Sequence, residues 1–201
     1  MIKTRALLIF LSFLSFGFVN AQNQDSVPNY STFLEELEND NLEIDYRQFR
    51  ISYIYSDQFK EKGASNYAEL KKDVYKYIRK KKYGKVIDVC QKMLEIDYTS
   101  MFAHKYIQQT AKILEDTVLY KKHHHIEFGL LKSIVHNGDG KSCKTSWEVT
   151  QIEEEYFILS MIGAELNTQT LEGLCDRMDV TQDNDKKTYY FGIYYVFESR
   201  K

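Results

Sequence analysis

The sequence lacks features by which several common classes of protein are recognised. Its 27 basic residues do not outnumber its 29 acidic residues, and the formal net charge of −2 argues against a general nucleic-acid-binding protein. After residue 18 there is no apolar run long enough to cross a bilayer, so we expect no stable membrane insertion. These absences favour a soluble protein that has no nucleic acid partner.

Complete catalytic and cofactor-binding motifs are also missing. The chain has no Gly-x-Ser-x-Gly elbow for a serine nucleophile, and no two histidines have the His-x-x-x-His spacing of a zinc-binding helix. A phosphate-binding loop would require glycine five residues before Gly140, where the sequence has Val135, and a helix rather than a strand after it. Asp183 and Asp185 resemble part of a calcium loop, but Tyr194 stands where its closing glutamate is required. We therefore predict no cofactor and no metal, and we favour a protein that is not an enzyme.

The first 21 residues have the pattern of a secretory signal peptide. Lys3 and Arg5 precede an unbroken apolar run from Ala6 to Phe18, and Val19-Asn20-Ala21 provides the small residues of a cleavage site. With 13 residues, this run is too short to span a bilayer of about 30 Å as a helix, although an N-terminal membrane anchor is the alternative interpretation. We therefore predict cleavage near Ala21, a periplasmic or secreted location, and a flexible leader over residues 22–30.

Residues 31–137 form the predicted helical half of a single α+β domain that covers residues 31–201. Apolar side chains recur there every three or four positions, which indicates amphipathic helices. Predicted helix starts lie near Ser31, Asp45, Asn66, Gly84, Asp97 and Asp116. The short connections predict αα-hairpins, and the stretch from Tyr83 to Asp97 is similar to one tetratricopeptide helix pair.

A basic run lies within this helical half. It consists of Lys71, Lys72, Lys76, Arg79, Lys80, Lys81, Lys82 and Lys85. One interpretation is an anion-binding surface, because tyrosines are interleaved with the basic residues. The other is a solvated helix face whose lysine stems cover the core, and the acidic balance of the whole chain favours this second interpretation.

Residues 143–201 form the predicted β half, which follows the turn Gly138-Asp139-Gly140. Apolar side chains alternate or run continuously in four segments, which predict four strands: Trp147–Gln151, Tyr156–Ile162, Leu174–Val180 and Tyr189–Phe197. Helices first and strands afterwards predict an α+β fold, in which a four-stranded antiparallel sheet packs one face on the helical hairpins. If two of the three cysteines form a disulfide, we expect Cys143–Cys175, because both lie in the β half.

All five histidines lie between positions 104 and 136, so a metal site has to be considered. His104 and one residue of the triplet His123–His125 could share a zinc ion across a helix pair, with Cys90 as a further ligand. Neighbouring residues on a helix point about 100° apart, so the triplet cannot bind one ion as a unit. Surface or capped histidines remain the favoured interpretation.

The acidic run Glu153-Glu154-Glu155 is predicted to lie in a turn between two strands. A buried carboxylate there could act as a general acid or base together with His136 or Asp139, which are near in sequence. The structural alternative is that Glu154 or Glu155 pairs inside the core with Arg50. These two interpretations make different predictions about which side chains meet.

Five short motifs, taken in order, resemble a known family. They are Asp45-Tyr46-x-x-Phe49-Arg50-x-x-Tyr53, Asp97 with Ala103-His104, Gly138-Asp139-Gly140, Glu154-Glu155-Tyr156 and Tyr190-Phe191-x-Ile193. In this order they look like the exported bacterial family called "domain of unknown function 4919", which is of the Bacteroidetes type. The resemblance implies a signal peptide and no particular activity. It also implies a cluster of residues with a binding or structural role. These residues are Arg50, Tyr53, His104, Gly138, Asp139, Gly140, Glu154, Glu155 and Tyr156.

The lack of a complete catalytic set, together with paired helices, favours one function over the others. We expect an exported soluble protein that binds a protein or peptide partner through its helix-pair groove and is not an enzyme. The alternative is a hydrolase-like enzyme that uses His136, Asp139 and Glu154 or Glu155. The sequence makes no prediction about the oligomeric state.

Overall fold

The computed structural model describes residues 29–199, so the predicted signal peptide and most of the predicted leader lie outside the described residues. Within this part of the chain there are nine α-helices and four β-strands. The helices are α1 (Tyr30–Glu38), α2 (Tyr46–Ile54), α3 (Asp57–Lys62), α4 (Tyr67–Arg79), α5 (Tyr83–Ile96), α6 (Met101–Ile113), α7 (Thr117–Val135), α8 (Ile152–Met161) and α9 (Tyr194–Glu198). The strands are β1 (Trp147–Glu148), β2 (Glu165–Glu172), β3 (Cys175–Gln182) and β4 (Asp185–Gly192).

Polar caps define where several helices begin. The side chains of Asp45, Ser100 and Asp116 each accept a hydrogen bond from a backbone N–H in the first turn, which confirms the predicted starts of α2, α6 and α7. Asn66 occupies the expected position before α4, but its side chain does not cap the helix. Tyr30, predicted as part of the leader, is instead the first residue of α1 and is buried.

The helices α4 to α7 form two consecutive hairpins with the same spacing along the chain. The first residues of α4 and α6 are 34 positions apart, and so are the first residues of α5 and α7. The turns inside the two hairpins contain Lys81 and Glu115, also 34 positions apart, and both have positive φ angles, of 53° and 59°. The predicted break near Gly84 therefore falls about one turn earlier, and Gly84 lies in the first turn of α5.

Two apolar clusters fill the interior of the described residues. One lies between α4, α5 and α6 and includes Val74, Met93 and Ile107. The other joins α1, α2, α7 and α8 to the sheet and includes Phe49 and Phe191. Because helices and strands contribute to the same second cluster, the two predicted halves share a core, as expected of an α+β fold.

The sheet is mixed rather than antiparallel, which corrects the predicted topology. Its strand order is β1-β4-β3-β2, in which β2–β3 and β3–β4 are antiparallel and β1–β4 is parallel. The parallel pair joins Trp147 to Phe191 and Glu148 to Gly192. A two-residue strand has no sequence pattern of its own, and its direction is set by where the chain enters the sheet.

The predicted strand Tyr156–Ile162 is wrong, because this stretch belongs to helix α8. The acidic run Glu153–Glu155 is the first turn of that helix, not a turn between strands, and negative charge is favourable there. The carboxylate of Glu154 also accepts a bond of 3.3 Å from the backbone N–H of Gln151, as in a capping box. The helix is buried along more than one face, so its apolar residues run together and resemble a strand.

The other differences also lie in the second half of the chain. The strand predicted at Trp147–Gln151 is limited to its first two residues, and the one predicted at Tyr189–Phe197 ends at Gly192 and is followed by α9. Strand β2 was not predicted, because it is an exposed edge strand with little apolar alternation. Within residues 29–199, no helix has both the length and the apolar character needed to cross a membrane.

Candidate functional site

A groove opens between α4, α6 and α8, with a cavity volume of about 280 Å³. We call it the inter-helix groove. Helix α4 contributes Lys71 and Tyr75, α6 contributes Phe102 and Lys105, and α8 contributes Phe157. Its wall is therefore aromatic, with lysine side chains from two helices.

One lysine of the groove, Lys62, is fully engaged by neighbouring groups. Its Nζ lies 2.9 Å from Oδ2 of Asp97, 2.7 Å from Oε1 of Gln151 and 3.3 Å from Oε1 of Glu153. Asp97 is itself buried, and its other oxygen accepts bonds from the backbone and hydroxyl of Thr99 at 2.9 and 2.6 Å. This network closes one end of the groove and holds the α5–α6 connection against the start of α8.

The other two lysines of the groove are held by aromatic rings. The Nζ of Lys71 lies 4.9 Å from the centre of the Phe102 ring, and that of Lys105 lies 5.4 Å from the centre of the Phe157 ring. Lys105 also lies 3.3 Å from the sulfur of Met161. Within residues 29–199 neither ammonium forms an ion pair, in contrast to Lys62.

The ion pair predicted for Arg50 is confirmed, with Glu154 as its partner. The guanidinium Nε and Nη2 lie 2.7 and 2.8 Å from the two carboxylate oxygens, and both side chains are buried. Arg50 also donates to Ser133 Oγ at 3.1 Å and to the Glu148 carbonyl at 2.9 Å, while Glu154 accepts from the Thr150 amide at 2.7 Å. The pair therefore ties α2 to α7 and to the loop before α8. All of these hydrogen bonds are to other groups of the protein.

Glu155, the next residue, has the opposite environment. Its side chain is fully buried, and its carboxyl group lies beside that of Asp176 without a well-formed hydrogen bond to either oxygen. Burial, and then the negative charges of Asp176 and Glu154, raise the pKa of Glu155 to about 8. At neutral pH this carboxyl is therefore mostly protonated, which lowers the cost of burying it.

The structure brings His104 and His123 together, as the zinc hypothesis supposed, but as a hydrogen-bonded pair. Their Nδ1 atoms are 2.8 Å apart, and Nε2 of His104 lies 2.9 Å from the Tyr98 carbonyl. Because that carbonyl can only accept, Nε2 of His104 carries a proton, and the shared proton between the rings belongs to His123. Within residues 29–199, no group of three or more histidine, cysteine or acidic side chains is arranged to hold a metal ion.

The histidine pair predicts a loss of stability in acid. Burial lowers the pKa of His104 to about 4; burial, and then the charges of His104 and Lys122, lower the pKa of His123 to about 3. The unfolded chain, with histidine pKa values near 6.5, therefore binds more protons. The stability that comes from the neutral pair is present above pH 6.5 and is lost as the pH falls toward 4.

The variant His123→Asn tests this prediction, because asparagine keeps an N–H donor but cannot be protonated. Between pH 7 and pH 5 the variant should gain about 2 kcal/mol relative to the wild type, measured by urea denaturation. A difference that does not change with pH would contradict the buried neutral pair.

The residues of the predicted hydrolase site lie in different surroundings. His136 lines a separate groove of about 490 Å³ between α2 and α7. Asp139 is on the surface, where it accepts bonds from the Thr145 hydroxyl at 2.6 Å and the Lys141 amide at 3.1 Å. Since Glu154 is bound to Arg50, and Glu155 is enclosed in the core, the structure does not bring the four side chains together.

The remaining residues of the predicted polar cluster have structural surroundings. Gly140 has a φ of +67°, and a Cβ on Gly138 would lie 2.3 Å from the Thr145 carbonyl oxygen, so the loop requires both glycines. The buried Tyr53 donates its hydroxyl to the Ile96 carbonyl at 3.1 Å, and the exposed Tyr156 donates to Gln169 at 2.8 Å. The predicted cluster therefore consists mainly of groups that hold the fold together.

Sequence reasoning did not identify the lysines of the groove. Lys71 was included in the basic run and interpreted as part of a solvated face, and Lys105 was not singled out. The two are 34 positions apart, which is also the spacing of the two helix hairpins. A search for residues repeated at that spacing would have found them.

Comparisons with known proteins identify a family but no individual relative. The sequence model of the family described as Domain of unknown function (DUF4919) matches residues 19–201. All five motifs that carried the resemblance lie within this span, so the predicted membership of this family is confirmed. No curated protein and no solved structure matches the chain.

Proposed function

The chain belongs to that family, whose description names no activity, and on this premise we propose that it is an exported, non-enzymatic module that binds a protein or peptide in the inter-helix groove. The observation that carries the proposal is the groove itself. It is open, lined by aromatic side chains, and contains two ammonium groups without acidic partners, whereas the other predicted polar residues are largely engaged within the protein. A mostly apolar concavity with a few fixed polar groups is the usual form of a ligand site.

The helical repeat supports this choice of surface. Tetratricopeptide units are helix pairs that repeat every 34 residues, the same spacing that separates α4 from α6 and α5 from α7. We propose that the two hairpins have tetratricopeptide-like geometry, although two units are fewer than an independent array requires. Stacked helix pairs form concave binding surfaces. Here α4 and α6, the first helices of the two units, line the groove together, and α8 forms the opposite wall.

The cysteines support the proposed export. Cys143 and Cys175 form a disulfide, with their Cα atoms 5.7 Å apart, which confirms the pairing expected from the sequence. Disulfides persist mainly in oxidising compartments, in agreement with a signal peptide and a periplasmic or secreted location in a bacterium of the Bacteroidetes type. Fractionation of the producing cells tests the location, and recovery of the mature protein from the cytoplasm would contradict it.

A selection from an unbiased peptide display library tests the binding function. We expect enriched peptides to bind the purified protein and to lose at least about tenfold in affinity, roughly 1.4 kcal/mol, when Ser160→Trp fills the groove. Ser160 is an exposed residue of α8 that lines the groove. The matched control is Gln91→Trp, which places the same side chain on an exposed position of α5 away from the groove.

Two results would contradict the proposed function. The first is a selection that enriches no peptide. The second is a set of peptides that bind Ser160→Trp as tightly as the wild type, because such peptides use another surface. Circular dichroism of both tryptophan variants shows whether an affinity change comes from unfolding.

A further inference from the structure

We infer that the occupant of the inter-helix groove is an acidic peptide segment, in which two carboxylates flank an apolar side chain. This inference rests on the proposed function, because it names the chemistry of the ligand for the same groove. It is carried by the position of two lysines, by the ion pairs that the acidic residues of the groove form with other cations, and by the aromatic rings beside the lysines.

The two lysines occupy equivalent positions in the two helix hairpins. Lys71 and Lys105 are both the fifth residue of their helix, α4 and α6, and each ammonium lies over an aromatic ring at 4.9 or 5.4 Å. The ring faces hold the cations without neutralising them, because their attraction for a lysine is weaker than that of a buried carboxylate. Two pre-positioned cations without counter-ions favour a ligand that brings negative charge.

The acidic residues of the groove do not supply that charge. Asp97 and Glu153 share the single charge of Lys62, and Glu154 is bound to Arg50, so the one surplus negative charge lies at the Lys62 end of the groove and forms no ion pair with Lys71 or Lys105. Glu127 is the other carboxyl that faces Lys105, and burial raises its pKa to about 7, an effect that Lys105 opposes. It is therefore only partly ionised at neutral pH, and it forms no ion pair with Lys105. Among the lysines of the groove, Lys71 and Lys105 therefore remain the two without an ion-pair partner.

Aromatic rings between α4 and α6 favour an apolar group between the two charges. Phe102 contacts Tyr75 and Tyr106, with ring centres 5.5 and 4.6 Å apart, and Tyr75 and Tyr106 lie 5.8 Å from each other. Ring contacts of Tyr75 with Phe102 and Tyr106 join α4 to α6, so an extended peptide that crosses these rings runs from the helix of Lys71 to the helix of Lys105. Alternate side chains of such a peptide face the groove, so two carboxylates can flank an apolar side chain on that face, whereas a single small anion has no convergent set of donors.

The test uses a fluorescein-labelled peptide with the core Glu-Gly-Phe-Gly-Glu and Gly-Ser at each end, so that the carboxylates and the ring share one face of an extended chain, and measures binding by fluorescence anisotropy. The controls are the same peptide with glutamine or lysine in place of glutamate. We expect the acidic peptide to bind at least about tenfold more tightly than either control, and binding to weaken as salt is raised. Lys71→Gln combined with Lys105→Gln should remove this preference. Lys72→Gln combined with Lys121→Gln changes the net charge equally, at exposed positions outside the groove, and should leave affinity within about twofold.

The outcomes separate the inference from the function on which it rests. Equal binding of the acidic and glutamine peptides, or no effect of the Lys71 and Lys105 substitutions, would overturn the inference. Displacement of the acidic peptide by millimolar inorganic phosphate would also overturn it, since the site would then bind a small anion. If the display-selected peptides lack acidic residues but no longer bind when Ser160→Trp fills the groove, the groove binds peptides of another chemistry and only the inference fails. If no selected peptide depends on the groove, the proposed function fails as well.

Discussion

Replacing Arg50 with alanine is expected to lower the free energy of unfolding by about 3–5 kcal/mol, the usual cost of removing one partner from a buried ion pair. The loss is large because Glu154 would keep its negative charge in the core without its partner. The Ser133 hydroxyl and the Glu148 carbonyl would also lose a donor. The substitution would therefore loosen the junction between α2, α7 and the loop before α8.

The measurement is urea or guanidinium denaturation, with Arg47→Ala as the matched control. Arg47 lies on the same helix and forms a similar two-point pair with Glu148, at 2.8 and 3.0 Å. Both of those side chains are about one-third exposed, so the control should cost no more than about 1 kcal/mol. Equal effects of the two substitutions would contradict the burial of Arg50 as the source of the difference.

A double substitution tests the electrostatic part of this argument. In the double variant Arg50→Met with Glu154→Gln, neither of the two side chains carries a charge. We therefore expect its free energy of unfolding to be higher than that of Arg50→Ala. Arg50→Met and Glu154→Gln are also measured separately. If the double variant loses more unfolding free energy than the two single variants lose in total, hydrogen bonding by Glu154 to the start of α8 outweighs the cost of its unpaired charge.

The parts of the fold that the sequence predicted are those fixed by local contacts. Caps such as Asp45 and Asp116 form hydrogen bonds to the backbone within three residues, so a short stretch of sequence is enough to predict them. Helix α8 was misjudged because its buried face is broad: only a narrow stripe that includes Glu153, Tyr156 and Ser160 is exposed, so its apolar residues show little helical spacing. The capping contact of Glu154 with Gln151 is the local signal that would have corrected the prediction.

The candidate site depends on contacts between distant parts of the chain, which explains why it was predicted only in part. Arg50 and Glu154 are 104 positions apart, and nothing in either neighbourhood specifies which glutamate pairs with Arg50. The phase of α8 decides this, because consecutive residues on a helix point about 100° apart. It directs Glu154 to Arg50 and Glu155 into the core beside Asp176, so the same acidic run contributes an ion pair and a neutral acid.

Replacing Glu155 with glutamine is expected to change how stability depends on pH. The pKa of this carboxyl is about 8 in the folded protein, and its ordinary value is 4.5. A raised folded-state pKa gives stability that is fully present below pH 4.5 and is lost as the pH rises through 8, because ionisation is easier in the unfolded chain. Between pH 5 and pH 8 the wild type should therefore lose about 3 kcal/mol relative to Glu155→Gln, at 1.36 kcal/mol per pKa unit.

The sign of this change distinguishes it from other effects of pH. Urea denaturation at pH 5, 6, 7 and 8 gives the free-energy difference between wild type and Glu155→Gln, which should move in favour of the variant as pH rises. For His123→Asn, the free energy of unfolding should rise relative to that of the wild type as pH falls, because the pKa of His123 is lowered to about 3. Since the two histidines of the pair oppose the two buried carboxyls Glu127 and Glu155, the wild type alone should show a weak pH dependence between pH 5 and 7. Parallel slopes for the two variants would mean that at least one of these groups is hydrated in the folded protein, and a flat difference for Glu155→Gln would place its carboxyl in contact with water.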